Sequence, residues 1–206
     1  TVRDGVTFLN TNRGEVPLII FGEHNLQNLQ GALEVCRLMG IGDAEFYDAM
    51  MSFKGAARRL ELVKETTGSV IYKDFAHSPS KLKATTAAFK AQFASRRLVA
   101  CMELHTFSSL NANFLGEYKD SMQAADKAYV YFNPHTIEHK KLPPISPQQV
   151  KEAFASDNVE VFTDSNLLMQ ELKAQSWRDA NLLLMTSGNF DGIDFVQLAD
   201  ELLPSA

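Results

Sequence analysis

The sequence predicts an α/β fold with a largely parallel sheet, preceded by a smaller unit of different pattern. Three observations carry this. From Leu60 onward, short apolar runs alternate with stretches of helical period, as in strands joined by crossover helices. Immediately before, Phe53-Lys54-Gly55-Ala56-Ala57-Arg58-Arg59 breaks the periodicity with glycine and small residues and reads as a hinge. The polar loops then fall at the carboxyl ends of the expected strands, where such sheets bind ligands.

In chain order, Val6-Thr7-Phe8-Leu9 and Leu18-Ile19-Ile20-Phe21 read as a strand pair about the turn-like Asn12-Arg13-Gly14. Over 25–39 the apolar residues Leu26, Leu29, Leu33, Cys36 and Met39 recur at three- and four-residue steps, which predicts a helix closed by Gly40. A second short helix is expected over 43–53. Beyond the hinge, strands are expected at 60–65, 69–75, 97–103, 127–132, 159–162 and 181–186. Helices are expected at 80–93, 113–124, 148–155, 165–174 and 193–203. Pro143-Pro144-Ile145-Ser146-Pro147 reads as a stiff surface loop.

Composition narrows the function classes. The 206 residues are 45% hydrophobic and 22% charged, an ordinary globular balance with room for two units. A net charge of −5 opposes general attraction to nucleic acid, so an anionic ligand must be gripped locally. No apolar run approaches the roughly twenty residues needed to span a bilayer. Cys36 and Cys101 are isolated in apolar surroundings and read as reduced core thiols, which favours the cytoplasm. His135 and His139 have helical spacing but no third ligand nearby, so no metal site is expected.

Four constellations can carry chemistry. In Gly22-Glu23-His24-Asn25-Leu26-Gln27-Asn28 a polar cluster joins an apolar run to a helix; Asn25 can cap that helix, and an amide side chain can also pair with a base edge. Arg58 and Arg59 at the hinge can reach a phosphate through a planar donor fork, or simply be solvated. Asp74, at the end of an apolar strand and followed by His77, Ser78 and Pro79, can accept bonds from two ribose hydroxyls or cap the next turn. The last is a pair of loops, with His105, Thr106, Ser108 and Ser109 on one side and Ser187, Gly188 and Asn189 on the other. Glycine there lets backbone amides approach an anion.

Taken in order, these pieces resemble the Mur ligases of bacterial cell-wall synthesis over essentially the whole chain. The segment from Gly22 to Asn28 resembles that family's glycine-x-histidine-asparagine-x-x-asparagine motif. Phe53 to Glu61 resembles its domain junction, and Asp74-Phe75-Ala76-His77-Ser78-Pro79 resembles its Asp-(Phe/Tyr)-(Ala/Gly)-His-His-Pro loop. The resemblance implies that residues 1–57 are the C-terminal part of a central ATPase domain and that 58–206 form a Rossmann-like C-terminal domain. It implies ATP and magnesium as cofactors, phosphorylation of a muramyl carboxylate, and attack of an amine on the acyl phosphate. Asp74 to His77 and Ser187 to Ile193 most resemble the branch that joins UDP-N-acetylmuramate to L-alanyl-γ-D-glutamyl-meso-diaminopimelate. The L-alanine-adding branch is the alternative, and folylpolyglutamate synthase fits Asp74 to His77 less well.

By the same resemblance His24, Asn25 and Asn28 face adenine, Arg59 with Arg58 reaches the ribose or phosphates, and Asp74 holds the ribose. His77, Ser78 and the loop from His105 through Ser108 and Ser109 border the acceptor, opposite Ser187, Gly188 and Asn189. Two positions depart from the pattern: Ser78 stands at the second histidine, and the 103–109 loop lacks the arginine of the alanine-adding branch. No Gly-x-x-x-x-Gly-Lys-[Ser/Thr] loop occurs, so this stretch alone is expected to be inactive. An isolated nucleotide-binding module is the reading from a different functional class.

Overall fold

The computed structural model describes residues 1–204. Its N-terminal unit is an antiparallel sheet of β1 (Val2–Arg3), β2 (Val6–Thr11) and β3 (Gly14–Leu18), with α1 (Glu23–Leu38) and α2 (Asp43–Met50) packed on it. Thr11 pairs with Gly14 across the hairpin, and Gly14 takes φ 109°, a backbone that side chains resist. The second strand lies earlier than the apolar run at 18–21 suggested. Ile20 and Phe21 are buried, but on the approach to α1, and an apolar run alone does not separate these states. β1 was too short to register as a pattern. Leu29 and Leu33 on α1 pack with Leu18, Ile20 and Phe46. Gly40, at φ 83°, closes α1: its N–H reaches Arg37 O and that of Ile41 reaches Cys36 O.

The larger unit is a sheet of β4 (Glu61–Glu65), β5 (Val70–Asp74), β6 (Arg97–Glu103), β7 (Lys127–Tyr131), β8 (Val159–Phe162) and β9 (Ala180–Met185), in the order β4-β5-β9-β6-β7-β8. Only β4 runs antiparallel to its neighbour, so the sheet is largely parallel, as expected. β9 is buried along its whole length because helices cover both faces. One face carries Leu82 and Phe89 of α3 (Pro79–Gln92) and Val150 and Phe154 of α6 (Pro147–Phe154). The other carries Leu168 and Leu172 of α7 (Ser165–Ala174) and Leu198 and Leu202 of α8 (Phe195–Leu202). Cys101 is buried in β6, where the apolar surroundings push its thiol far up from the ordinary range; Cys36 is half-buried.

Two helices differ from expectation. The stretch 113–124 holds only α4 (Ala112–Leu115) and a 3-10 turn at Gly116–Tyr118. Asp120 at φ 57° ends any continuation, and the Tyr118 ring stacks on Phe154 at 5.1 Å instead of extending a helical face. A short α5 (Pro134–His139) also forms, with proline in its first turn and the Asn133 side chain accepting from His135 N–H. No helix among the described residues is long and apolar enough to cross a membrane.

The two units meet along α3. Phe21 packs edge-on against Tyr72, Phe89 and Phe93 at ring separations of 5.6, 5.8 and 6.0 Å. Buried Gln92 accepts from Thr7 Oγ1 at 2.9 Å and donates to Gly5 O at 2.6 Å. Gly22 lies so close that a Cβ there would sit 2.9 Å from Ala88 Cβ. The connection between units runs through left-handed residues: Gly55 (φ 93°), Arg58 (φ 59°) and Leu60 (φ 42°). Two of these are not glycine, a strain that surrounding contacts must hold.

Candidate functional site

A cleft of about 1250 Å³ opens where the units meet. One wall is the start of α1, with His24, Asn25 and Asn28; the other is formed by Arg59 of the hinge, Asp74 at the end of β5, and Ser80, Lys81 and Thr85 of α3. The expected adenine-side and ribose-side residues therefore share one cavity, with the exception of Arg58. Arg58 is exposed outside the lining, and its backbone N–H donates to Glu61 Oε2 at 2.9 Å.

Gly22, not Asn25, occupies the helix cap position. Asn25 lies within α1 and donates from Nδ2 to Phe21 O at 2.9 Å, while its amide oxygen has no partner among the described residues. His24 is held below the ordinary histidine value of 6.5, chiefly by burial; Asp74 pulls it upward and Arg59 pushes it down. The imidazole is consequently neutral near pH 7 and offers both a donor and an acceptor. The Arg59 guanidinium lies 6.0 Å from the Phe75 ring centre.

Asp74 is 7% exposed and organises this region. Its Oδ2 accepts from Leu60 N–H at 2.7 Å and its Oδ1 from Ala76 N–H at 2.6 Å, so it fixes the connection between the units at one side and the following loop at the other. Each oxygen retains a lone pair for a ligand hydroxyl. In that loop His77 Nδ1 lies 2.9 Å from Phe75 O; a carbonyl only accepts, so Nδ1 carries the proton. Tyr118 OH donates to His77 O at 2.6 Å, and Ser78 stands at the start of α3 without a side-chain cap bond.

A second group forms at the ends of β6 and β9. Thr186 N–H donates to Asp74 O at 3.0 Å and its hydroxyl donates to Glu103, so one residue spans the ends of three adjacent strands. Glu103 also accepts Phe190 N–H at 3.0 Å and lies 3.5 Å from His105 Nδ1. Gly188 fits tightly: a Cβ would stand 2.7 Å from Glu103 Oε2 and 3.0 Å from His105 Cγ. The Ser187 hydroxyl is enclosed without a partner among the described residues, while Ser108 and Asn189 are exposed. Ser109 is fully buried and bonded to Thr106, which places its hydroxyl inside the turn.

Sequence reasoning missed Glu103 as a site residue. Its signal was the one that selected Asp74: a carboxylate ending an apolar strand, here after Leu98-Val99-Ala100-Cys101-Met102. Lys81 was missed because a lysine in a first helical turn is ordinary until the opposing wall is known.

Fold and site define a class: a helix-covered, largely parallel α/β domain connected through residues 55–60 to a second unit, with a cleft at the junction that mixes apolar and polar side chains. The family description "Mur ligase, glutamate ligase domain" matches residues 58–188. The chain belongs to this family. A UDP-N-acetylmuramate--L-alanine ligase of Trichormus variabilis is 31% identical over 195 residues, covering 91% of this chain and 39% of that protein. The UDP-N-acetylmuramate-alanine ligase of Thermotoga maritima superposes with a TM-score of 0.68 at 17% identity, over 91% of this chain and 39% of that one. The murein peptide ligase of Psychrobacter arcticus does so with 0.62 at 20% identity, over 94% and 40%. This chain spans about a fifth to two fifths of the length of the curated relatives it matches.

Proposed function

We propose that the chain is part of an ATP-dependent ligase that joins UDP-N-acetylmuramate to L-alanyl-γ-D-glutamyl-meso-diaminopimelate. Residues 1–57 would close a central ATPase domain and 58–206 would form the C-terminal domain. The observation that carries this reading is the single cleft gathering His24, Asn25, Asn28, Arg59 and Asp74 from both sides of the hinge. An amide and a neutral imidazole suit a base edge, a buried carboxylate suits vicinal ribose hydroxyls, and an arginine suits phosphate.

In the proposed reaction the muramyl carboxylate oxygen attacks the terminal phosphorus of ATP and ADP departs. The incoming amine then attacks the acyl carbon and expels phosphate. Magnesium, when bound, would offset charge on the transferring oxygens. No group of three or more His, Cys, Asp or Glu fit for a metal gathers among the described residues, so its ligands are proposed to come from the rest of the parent. This chain's part is to grip the nucleoside and border the acceptor with His77, Ser78, His105, Ser108, Ser187, Gly188 and Asn189. Closure about residues 55–60 would exclude water.

The L-alanine-adding reading is favoured by the names of the curated relatives, and the missing arginine between Glu103 and Ser109 favours the longer acceptor. Phosphate release by the parent with UDP-N-acetylmuramate, ATP and magnesium separates them. Release dependent on the tripeptide supports the proposal, release dependent on L-alanine replaces it with the second reading, and silence with both overturns both and reopens the reading as a nucleotide-binding module.

A further inference from the structure

Glu103 is a carboxylate only 3% exposed, and its two oxygens face different tasks. Oε2 accepts the Thr186 hydroxyl and Phe190 N–H, and Thr186 Oγ1 in turn accepts Gly188 N–H at 2.7 Å. One oxygen thus orders the backbone from 186 to 190. Oε1 is left facing His105 Nδ1 at 3.5 Å, and among the described residues His105 is the one basic side chain that reaches this buried acid. A buried carboxylate without a cation requires donors, and Nδ1–H is the available one. Gly188, whose missing Cβ would strike both Glu103 and His105, lies directly against the contact.

His105 itself is 39% exposed while its Nδ1 edge lies under Gly188. The edge of the ring opposite Cγ and Nδ1 carries Nε2. The two nitrogens of a neutral imidazole differ, and the bond made by one decides the role of the other. With the proton fixed on Nδ1, Nε2 presents a lone pair to the rim between the two loops.

We propose that Glu103 is a positioning residue that fixes His105 in the Nδ1–H form, so that Nε2 takes a proton from the ammonium group of the incoming acceptor. The acceptor's nitrogen then holds the free lone pair it needs for attack, and the proton resides on an imidazolium paired with Glu103. The proton step rests on the acceptor-side reading of this rim; the tautomer does not. The 3.5 Å separation is longer than a formed hydrogen bond, as expected of a site whose contacts tighten when the acceptor binds.

The test begins with nitrogen NMR of the imidazole in the 206-residue chain, at a pH where His105 is neutral. The expected result is a proton on Nδ1, moved to Nε2 in Glu103→Gln. That variant keeps a carbonyl oxygen for Thr186 and Phe190 but turns an amide donor toward His105. A wild-type ring protonated on Nε2, or a tautomer indifferent to Glu103→Gln, overturns the proposal, and the wild-type spectrum decides even if the variant fails to fold. In the parent, Glu103→Gln should lower kcat with the acceptor by about a hundredfold, the lower range for general-base catalysis, and leave nucleotide affinity unchanged. Unaltered kcat would remove the proton step. Absence of turnover in the wild-type parent would sink the ligase reading while leaving the tautomer result intact.

Discussion

Asp74 Oδ2 accepts the backbone N–H of Leu60 across 14 residues of sequence, and this bond ties the left-handed connection between the units to the carboxyl end of β5. Replacing Asp74 by alanine strands two buried donors, Leu60 N–H and Ala76 N–H, at about 1–3 kcal/mol each. The expected outcome is a Tm lower by several degrees in thermal unfolding, with a smaller loss for Asp74→Asn, whose single amide oxygen can still accept.

Gly188→Ala tests the tight contact at the rim. Gly188 is not among the residues of positive φ, so the difficulty is space alone: the new methyl would lie 2.7 Å from a buried carboxylate oxygen. The loop or His105 must shift, at about 1–3 kcal/mol. Calorimetry should show the loss, and nucleotide affinity should be retained because the cleft lining excludes Gly188.

Gln92 and Thr7 form a polar clasp between the units and should be energetically coupled. In a double-mutant cycle of Gln92→Ala and Thr7→Val, urea unfolding should give an interaction energy of about 0.5–3 kcal/mol. Additive effects would show that the aromatic contacts around Phe21 hold the interface without the clasp.

His24 gives the fold a pH dependence. Its folded-state pKa lies below the ordinary 6.5, mainly through burial, so the unfolded chain binds the proton more readily. Stability contributed by neutral His24 is complete above about pH 6.5 and declines as pH falls from there toward the folded value. His24→Gln should flatten that part of the curve in urea titrations taken between pH 7 and pH 5. The same slope in the variant would assign it elsewhere.

The alternation beyond Leu60 was legible because the central strands β6, β7 and β9 are nearly continuous apolar runs bounded by polar loops, the pattern that burial on both faces produces. The 113–124 stretch was not, because Tyr118 is satisfied by distant partners, Phe154 and the His77 carbonyl, that no local window contains. The cleft residues were readable as types in order, whereas their convergence depends on the backbone at Arg58 and Leu60. Positive φ at an arginine and a leucine leaves no mark in the sequence. Asn25 illustrates the same boundary: its chemistry was evident, but its bond to Phe21 O follows from where the helix begins.

Gly22 meets Ala88 so closely that Gly22 has no room for a carbon atom on that side. Their contact works as a depth stop, setting how far the start of α1 can sink toward α3 and hence how wide the mouth of the cleft stands. A graded series at Ala88, from serine to valine to leucine, would insert shims of increasing thickness at a residue outside the cleft lining. Ligand size preference could then be tuned by spacing alone, with every residue of the cleft left in its native chemistry.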